Sequence, residues 1–398
     1  MIGSMEEPKV RSYFFAAVLA AFGGVSATDA AIAQDPVKIG IIMPLTGVLG
    51  PLGKQVTAAA KLYVAQHGTT VAGKKIELII KDDSGVPDNA KRLAQELVVN
   101  DKVSVIGSGI TPASLAMAPV VTQGKVATVI MISGTSIVTE RSPYFVRTSF
   151  TLGQQSSIIA EWAAKNGSRK VVIIQSDWAP GAEAAAVFTA AFTKAGGQIA
   201  ETIKVPLSNP DFAPFLERAR DLNPDTLFVF VPASGQAGTF AKQFAQRGFD
   251  KAGIKLIGPG DITDDDDLPG MSDAMLGVVT AGHYSAYHQS AMNTKYVEDF
   301  KKADNFRPNF ISVGGWDGMH AIYEALKKTG GKTDGDSLIE AIKGMSWESP
   351  RGPISIDPQT RDIVQNIYIR KVEKKNGELY NVEFATFEAV KDPGKASK

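Results

Sequence analysis

Short apolar runs alternate with helical patterns along most of this sequence, and this alternation constrains the fold more than any other feature. From residue 37 onward, runs rich in Val, Ile and Leu are each followed by a segment whose apolar residues recur at helical spacing. Continuous apolar runs of this kind are typical of parallel strands covered by helices on both faces. The alternation therefore predicts an α/β fold built from strand–helix units.

These units fall into two successive series. The predicted strands of the first series lie at residues 37–43, 75–80, 103–106 and 126–132, and its predicted helices at 53–67, 88–100 and 112–123. In the second series the predicted strands lie at 170–174, 199–205, 226–231 and 254–257, and the predicted helices at 153–166, 181–195, 211–221 and 236–247. Two series of similar length predict two Rossmann-like lobes and not one large sheet.

Beyond residue 278 the order is less regular. Helices are predicted at 293–303, 314–328 and 335–344, and an antiparallel strand pair at 363–370 and 380–384. The turn of this pair is predicted at Lys375-Asn376-Gly377, because Asn-Gly is favoured in tight hairpin turns. This tail has too few strands to form a domain. It must therefore complete sheets begun earlier, which implies several crossovers between the lobes.

The first 33 residues are predicted to be a secretory signal peptide. Lys9 and Arg11 precede an apolar run at 13–22, and Ala31-Ile32-Ala33 offers a cleavage site with small residues. The run is too short to span a bilayer. A buried N-terminal helix is the alternative. The sequence contains no cysteine, so it also lacks the residue that carries a bacterial lipid anchor, and we expect the mature protein to be free in the periplasm.

Composition excludes several classes of function. The absence of cysteine excludes thiolate catalysis, cysteine-ligated zinc and disulfides. The formal net charge of zero gives no argument for binding nucleic acid or an anionic membrane. His283 and His288 are five residues apart, on different faces of a helix, so they do not form a simple metal pair. The acidic run 264–267 is predicted to be the solvated start of a helix. No metal, no cofactor and no enzymatic activity are expected.

One loop points to an anion. In open α/β sheets, ligands bind beyond the carboxyl ends of the strands. The segment GSGITPASLAMAP at 107–119 follows a predicted strand, with Thr111 suited to the N-cap and Pro112 to the first helical position. The free N–H groups of that turn would bind a carboxylate. Ser133-Gly134-Thr135 follows the next strand and offers a second cluster of hydroxyls and amides. The alternative is that both segments only cap helices.

These segments resemble the leucine/isoleucine/valine-binding family of periplasmic proteins, the solute receptors of ABC importers. The resemblance runs from residue 37 to about 390, on KIGIIMPLTGVLGPLGKQ, KIELIIKDDSGVPDNAKRLAQELV, VIGSGITPASLAMAP, ISGTSIVTERSPYFVRT and RGPISIDP. It implies a type I periplasmic binding protein, with two lobes joined by three hinge crossovers. The implied first lobe comprises residues 36–150 and about 283–360, and the second 151–282 and about 361–390. Implied hinges lie at 148–151, 281–284 and 357–363.

The resemblance also implies a ligand site and its partners. The solute carboxylate would bind the hydroxyls and amides of two loops, and the body of the solute would contact walls from both lobes. The implied ligand-binding residues are Leu52, Gly109, Thr111, Pro112, Ser133, Thr135, Trp178, Pro180, Ser234, Asp261 and Tyr284. We expect a monomer that delivers its ligand to an ABC permease in the inner membrane. A sensory receptor with the same lobes is an alternative.

The nature of the solute follows from a departure from the family pattern. Amino-acid binders carry a Glu after the Gly-Pro of the segment GPGD, where it pairs with the ligand ammonium. Here Gly260 occupies that position and Asp261 comes one residue later, and a shift of one residue is able to turn the carboxylate away from the ligand. The segment TSIVTERSPYFVRTSFT resembles the subgroup that binds aromatic carboxylates. We therefore favour an aromatic acid such as a benzoate, phenylpropanoid or aryl-keto acid, with a branched-chain or other amino acid, or an amide, as alternatives.

Overall fold

The structure is a computed structural model that describes residues 1–5, 7, 35–208 and 210–395. Most of the predicted signal peptide, including its apolar run and cleavage site, lies outside the described residues. Among the residues that are described, no helix is both long and apolar enough to cross a membrane.

The strands of the described chain follow one another in two long runs, separated by helices. They are β1 Val37–Met43, β2 Thr70–Val71, β3 Lys74–Asp82, β4 Val105–Ser108, β5 Ala127–Ile130, β6 Phe145–Arg147, β7 Lys170–Ser176, β8 Gln198–Val205, β9 Thr226–Phe230, β10 Lys255–Pro259, β11 Val279–Gly282, β12 Ser346–Ser349, β13 Gly352–Ile356, β14 Ile363–Lys375 and β15 Glu378–Val390.

The α-helices lie between these strands. They are α1 Gly50–His67, α2 Pro87–Glu96, α3 Thr111–Gly124, α4 Leu152–Lys165, α5 Ala179–Lys194, α6 Ala213–Asp221, α7 Gln236–Gln246, α8 Ala291–Asp304, α9 Phe310–Lys328 and α10 Gly335–Ile342. A π-helical turn, Leu97–Asp101, continues α2.

The first lobe is built on a six-stranded sheet with the order β2-β3-β1-β4-β5-β6. Strands β3, β1, β4, β5 and β6 pair in parallel, and the short β2 runs antiparallel to β3. Helix α9 packs along α1, and α10 packs against β5 and β6. A glycine lets α9 approach the sheet this closely, since a Cβ at Gly314 would lie 2.3 Å from the carbonyl oxygen of Met131.

The second lobe is built on a nine-stranded sheet. Its order is β12-β13-β14-β11-β10-β9-β7-β8, with β15 paired to β14. Strands β7 to β11 pair in parallel, whereas β14 runs antiparallel to β11. Helix α4 packs against β10 and β11, and α5 against β7. In both sheets a series of parallel strands alternates with helices along the chain. This arrangement confirms the predicted α/β class with two Rossmann-like lobes.

The predicted strands and helices are present, with ends that shift by a few residues. The predicted hairpin turn is also confirmed, because Asn376 and Gly377 join β14 to β15 with φ angles of 52° and 88°. Positive φ at both central residues is typical of the type I′ turn that Asn-Gly favours. Five short strands of two to five residues each were not predicted: β2, β6, β11, β12 and β13. Runs this short carry little periodicity.

Chain crossings between the two sheets occur at residues 148–151, 283–290 and 343–345. The third differs from the implied hinge at 357–363, because β12 already pairs with β13, and β13 pairs with β14 of the second sheet. Arg351 ties the first crossing to α9 and β14. Its guanidinium donates to the carbonyls of Thr148 and Ser149 and to Gln365, and it forms a buried ion pair with Asp317 at 2.7 Å. The exact boundaries of the two lobes stay a prediction.

The prediction for the acidic run 264–267 was wrong. No α-helix follows it, and Asp264 and Asp265 are buried, with 2% and 0% of their surface exposed. Amide groups compensate for this burial: Asn309 donates to Asp264 at 3.1 Å, and Asn381 donates to Asp265 at 3.0 Å. Burial and the adjacent acids raise the pKa of Asp264 well above its ordinary value. The run thus forms part of the packed interior at the end of the second sheet.

Candidate functional site

A cavity lies beyond the carboxyl ends of the strands, between the two lobes, with about 390 Å³ of empty space that includes its open mouth. Its lining is mostly apolar and comes from both lobes. The lining residues are Leu52, Ile110, Thr111, Ile132, Ser133, Gly134, Phe150, Leu152, Trp178, Pro180, Phe230, Pro232, Asp261 and Ile311.

The predicted site residues divide into those that line this cavity and those that do not. Six line it: Leu52, Thr111, Ser133, Trp178, Pro180 and Asp261. Gly109, Pro112 and Thr135 do not line it but are chain neighbours of the lining residues Ile110, Thr111 and Gly134. Ser234 lines a separate, open pocket with Gly47 and Pro51, beside the cavity. Tyr284 is fully buried, lies against Tyr296 and does not line the cavity, so its expected place in the cleft was wrong.

Helix α3 starts one residue earlier than predicted. Ile110 is the N-cap, with extended backbone at φ −68° and ψ 159°, and its carbonyl accepts from the N–H of Ser114 at 3.0 Å. Thr111 is therefore the first helical residue and not the cap, and Pro112 is the second. The N–H groups of Thr111 and Ala113 have no carbonyl to bond within the helix. They lie at the positive end of the helix dipole, beside the cavity.

Hydroxyl groups connect the two loops beneath the cavity. The Thr111 Oγ1 and Thr135 Oγ1 atoms lie 2.9 Å apart, and Ser133 Oγ and Ser114 Oγ are also 2.9 Å apart. Ser133 Oγ donates to the carbonyl of Gly109 at 2.6 Å. Because the Ser133 hydroxyl is engaged within the protein and Thr135 does not line the cavity, the loops offer a ligand the Thr111 hydroxyl together with backbone N–H groups.

Arg147, fully buried at the end of β6, sets the direction of these backbone groups. Its guanidinium donates to the carbonyls of Ser133 and of Thr135, the latter at 2.7 Å, and pairs with Asp362 at 2.5 Å. A trans peptide places its carbonyl and N–H on opposite sides. With the Ser133 carbonyl held by Arg147, the N–H of Gly134 points away from the guanidinium, and Gly134 itself lines the cavity. Arg147 was not predicted as a site residue, because its only signal in the sequence is a charged residue directly after the apolar run YFV.

Apolar side chains form the remaining walls and suit a flat ring. Phe150 and Leu152 come from the first crossing, and Phe230 and Pro232 from the end of β9. Trp178 follows β7 and is half-buried, and its Nε1 atom is buried without a hydrogen-bond partner among the described residues. An indole N–H only donates, so this lining residue carries one donor that is not used by the described residues.

Asp261 is the charged residue of the lining. It lies in the 3-10 turn Gly260–Thr263 that follows β10, with 7% of its surface exposed. Its Oδ2 atom is buried and has no partner among the described residues. Burial raises the pKa of this carboxyl to about 7, although the nearby Arg370 guanidinium acts in the opposite direction. The shift of one residue from the family position therefore does not remove this carboxyl from the cavity.

A buried chain of hydrogen bonds fixes the Asp261 turn to the first lobe. The N–H of Gly260 donates to Gln155 Oε1 at 3.0 Å, Gln155 Nε2 lies 3.2 Å from His283 Nδ1, and His283 Nε2 lies 3.1 Å from the Phe310 carbonyl. Burial lowers the pKa of His283 well below its ordinary value, so the ring is neutral. His283 Nε2 must carry the proton to donate to a carbonyl, which leaves Nδ1 to accept from Gln155. The ring stacks behind Phe150, with centroids 5.0 Å apart.

No group of three or more His, Cys, Asp or Glu residues in the described ranges is arranged to hold a metal ion. The site instead combines amide and hydroxyl donors on the first lobe with an apolar chamber and one acid on the second lobe. Such a site binds a small ligand with an anionic group and an apolar body.

Comparison with known proteins identifies the family. A profile described as a periplasmic binding protein matches residues 36–378, so the chain belongs to that family, which binds solutes and is not an enzyme family. A Leu/Ile/Val-binding protein homolog of Brucella abortus (strain 2308) is 42% identical over 381 residues, which are 94% of this chain and 98% of the relative. The resemblance to the leucine/isoleucine/valine-binding proteins is confirmed.

Solved structures agree with this assignment. A solute-binding protein of an ABC transporter from Rhodopseudomonas palustris BisB5, in complex with 3,4-dihydroxybenzoic acid, is 66% identical, with a TM-score of 0.89. The match covers 91% of this chain and 99% of that chain. Another solute-binding protein from R. palustris, in complex with 4-hydroxybenzoate, is 38% identical with a TM-score of 0.88 and covers 92% and 100% of the two chains. The type I periplasmic binding fold and the class of ABC-transporter solute-binding proteins are thus established.

Proposed function

We propose that this protein binds a small aromatic carboxylate of the benzoate class in the periplasm and delivers it to an ABC permease. The observation that carries the proposal is the pairing of a helix-start anion site with a mostly apolar cavity lined by both lobes. A single aromatic ring with one carboxylate matches the chemistry of both parts. The aromatic acids bound by the two R. palustris relatives support the same class of ligand.

Each part of the cavity has a role in this binding. The N–H groups of Thr111, Ala113 and Gly134 and the Thr111 hydroxyl bind the carboxylate, helped by the dipole of α3. Phe150, Trp178 and the neighbouring apolar residues cover the ring. Burying one ring removes roughly 150–250 Å² of surface, which contributes about 4–6 kcal/mol. Hydrogen bonds to the carboxylate add about 1.5–3 kcal/mol each. After the cost of association, a dissociation constant of about 1 μM is expected.

Closure of the two lobes over the solute follows from the contacts that bridge them. Glu183 in α5 accepts from the N–H and the hydroxyl of Ser136 in the first lobe, at 2.9 Å each. Asn309 at the start of α9 donates to Asp264 in the second lobe. These bonds form only when the lobes are together. A solute that contacts both lobes stabilises this closed form over an open one, and the closed form is the one we expect the permease to recognise.

Further parts of the proposal concern the cellular context. We infer that residues 1–33 direct secretion and are removed, and that the mature chain acts as a monomer in the periplasm. We also infer that the protein does not transform its ligand. The residues of the cavity include no nucleophile paired with a base.

A branched-chain or other amino acid is the second candidate. The observation in its favour is Asp261, because a carboxylate in an otherwise apolar cavity is able to pair with an ammonium group. The Brucella relative named as a Leu/Ile/Val-binding protein homolog agrees with this alternative.

Ligand screening distinguishes the two candidates. The mature protein, residues 34–398, is screened by thermal shift against benzoates, phenylpropanoids, aryl-keto acids, Leu, Ile and Val, and hits are titrated by calorimetry. We expect stabilisation by benzoate-type acids with micromolar affinity. Stabilisation by Leu, Ile or Val alone would refute the aromatic proposal. Mass analysis of the recovered ligand tests for turnover.

A further inference from the structure

Two buried polar atoms of the cavity-lining residues have no hydrogen-bond partner in the part of the chain that the structure describes, and they differ in hydrogen-bonding character. Asp261 Oδ2 and Trp178 Nε1 both belong to lining residues of the second lobe. The carboxylate oxygen accepts hydrogen bonds, and the indole N–H only donates them. Both residues line the cavity from the lobe opposite the loops at Thr111 and Ser133.

The chemistry of these two atoms selects among ligand groups. A hydroxyl donates one hydrogen bond and accepts others, so it can satisfy both atoms at once. An ammonium group only donates and leaves the indole N–H unpaired. A methyl group, a halogen or a bare ring edge leaves at least the carboxylate unpaired. Because burying an unpaired polar group is unfavourable, the cavity favours a ligand with a hydroxyl at this end.

We propose that Asp261 and Trp178 form a recognition site for a phenolic hydroxyl, so that the protein prefers hydroxylated benzoates over benzoate itself. This inference rests on the proposed function and adds to it the substituent that determines specificity. Asp261 accepts the hydrogen bond from the phenol, and Trp178 Nε1–H donates to the phenol oxygen. The first-lobe loops hold the carboxylate at the other end of the ring, so the two ends of the ligand contact the two lobes.

The surroundings of Asp261 hold its carboxyl in place for this role. The turn is anchored through the Gly260 N–H to Gln155. On its other side it lies against Arg370, since a Cβ at Gly260 would lie 2.8 Å from the guanidinium Nη2. Arg370 itself is engaged by the carbonyl of Tyr284 and by Thr280. A turn fixed in this way has little freedom to swing its carboxylate out of the cavity toward other partners.

The test is a set of calorimetric titrations of the mature protein with benzoate, 3-hydroxybenzoate, 4-hydroxybenzoate and 4-methylbenzoate. A hydrogen bond to a charged group corresponds to roughly 10- to 100-fold in affinity. We expect at least one hydroxybenzoate to bind at least tenfold more tightly than benzoate, and 4-methylbenzoate to bind no more tightly than benzoate.

Variants assign the preference to the two residues. In Asp261→Ala and in Trp178→Phe, the ratio of the benzoate to the hydroxybenzoate dissociation constant should fall by at least fivefold. Trp162→Phe, which changes a tryptophan of α4 outside the cavity, is the matched control and should keep the wild-type ratio. The ratio is the readout because a general loss of packing weakens both ligands together.

The outcomes separate this inference from the proposed function. Equal affinity of the wild-type protein for benzoate and both hydroxybenzoates overturns the hydroxyl site and leaves the aromatic-acid function standing. A preference that survives in both variants also overturns the assignment. If no aromatic acid binds and Leu, Ile or Val does, the proposed function and this inference both fail.

Discussion

Replacing Asp261 by Asn should stabilise the empty protein at alkaline pH and not at acid pH. The folded protein holds this carboxyl at a pKa of about 7, against an ordinary value of 3.8. Each tenfold difference in acidity between folded and unfolded chain corresponds to about 1.4 kcal/mol. The charged form of Asp261 therefore costs the closed, empty protein up to about 4 kcal/mol, and the neutral amide of Asn avoids this cost.

The sign of the pH dependence follows from proton binding. Below pH 4 the carboxyl is protonated in both the folded and the unfolded chain, so it costs nothing. Between about pH 4 and pH 7 the folded protein binds more protons than the unfolded chain, and stability falls as the pH rises. Above pH 7 the full cost is present. The advantage of Asp261→Asn should thus be absent near pH 4 and largest at pH 8.

Thermal unfolding at pH 4, 6 and 8 measures this difference. For a chain of this length, 4 kcal/mol corresponds to roughly 5 °C in the melting temperature, which is an upper limit because opening of the lobes also relieves the cost. Asp221→Asn, at the exposed end of α6, is the control and should show no such pH profile. A melting temperature that differs from wild type by the same amount at all three pH values would refute the burial argument for Asp261.

Three further predictions follow from the site and the fold. Thr111→Val should weaken aromatic-acid binding by about 1–3 kcal/mol, and unchanged affinity in calorimetry would show that the anion site is misplaced. Glu183→Ala should weaken binding about tenfold and raise the fraction of open protein in small-angle scattering, since it removes two bonds that bridge the lobes. Gly314→Ala should lower the melting temperature by several degrees because its Cβ has no space. Gly238→Ala in α7 is the control. A Cβ at Gly238 would meet no atom within 4 Å, so this substitution should be neutral or slightly stabilising. Equal changes in melting temperature for the two substitutions would contradict the close packing of α9 on the first sheet.

The fold was largely predictable because its signals are local. The alternation of apolar runs and helical patterns defined the strand–helix units, and Asn376-Gly377 defined the final turn. What the sequence could not reveal depends on residues far apart in the chain. Arg147, Arg351 and Arg370 look like ordinary surface residues in the sequence, but their guanidinium groups are buried among carbonyls and acids from other segments. Burial of a charge is decided by tertiary partners and leaves no periodic pattern.

The same distinction explains the outcome for the site. The loops at Thr111 and Ser133 follow strands of one parallel sheet, and the carboxyl ends of such strands meet at one edge, so their convergence was predictable. The position of Thr111 within its helix was off by one residue because Ile110 has the extended backbone of the cap. The prediction for the acidic run 264–267 failed for a different reason. Only the folded chain shows that the side-chain amides of Asn309 and Asn381 donate hydrogen bonds to Asp264 and Asp265.

The cost of Asp261 also explains how a ligand can control closure. In the protein without ligand, closing the lobes buries a carboxylate whose Oδ2 atom has no hydrogen-bond partner among the residues described by the structure. A group that donates a hydrogen bond to this oxygen stabilises the charged form and removes part of the cost. Closure is therefore disfavoured without a ligand and favoured by a ligand with a suitable donor, by as much as that ligand binds the closed form better than the open form.

The empty Asp261→Asn protein should accordingly be more closed than wild type at pH 8. Because the chain has no cysteine, a pair of cysteines introduced one per lobe and labelled for energy transfer measures this directly. Equal closure of the two empty proteins at pH 8 would show that Asp261 does not oppose closure.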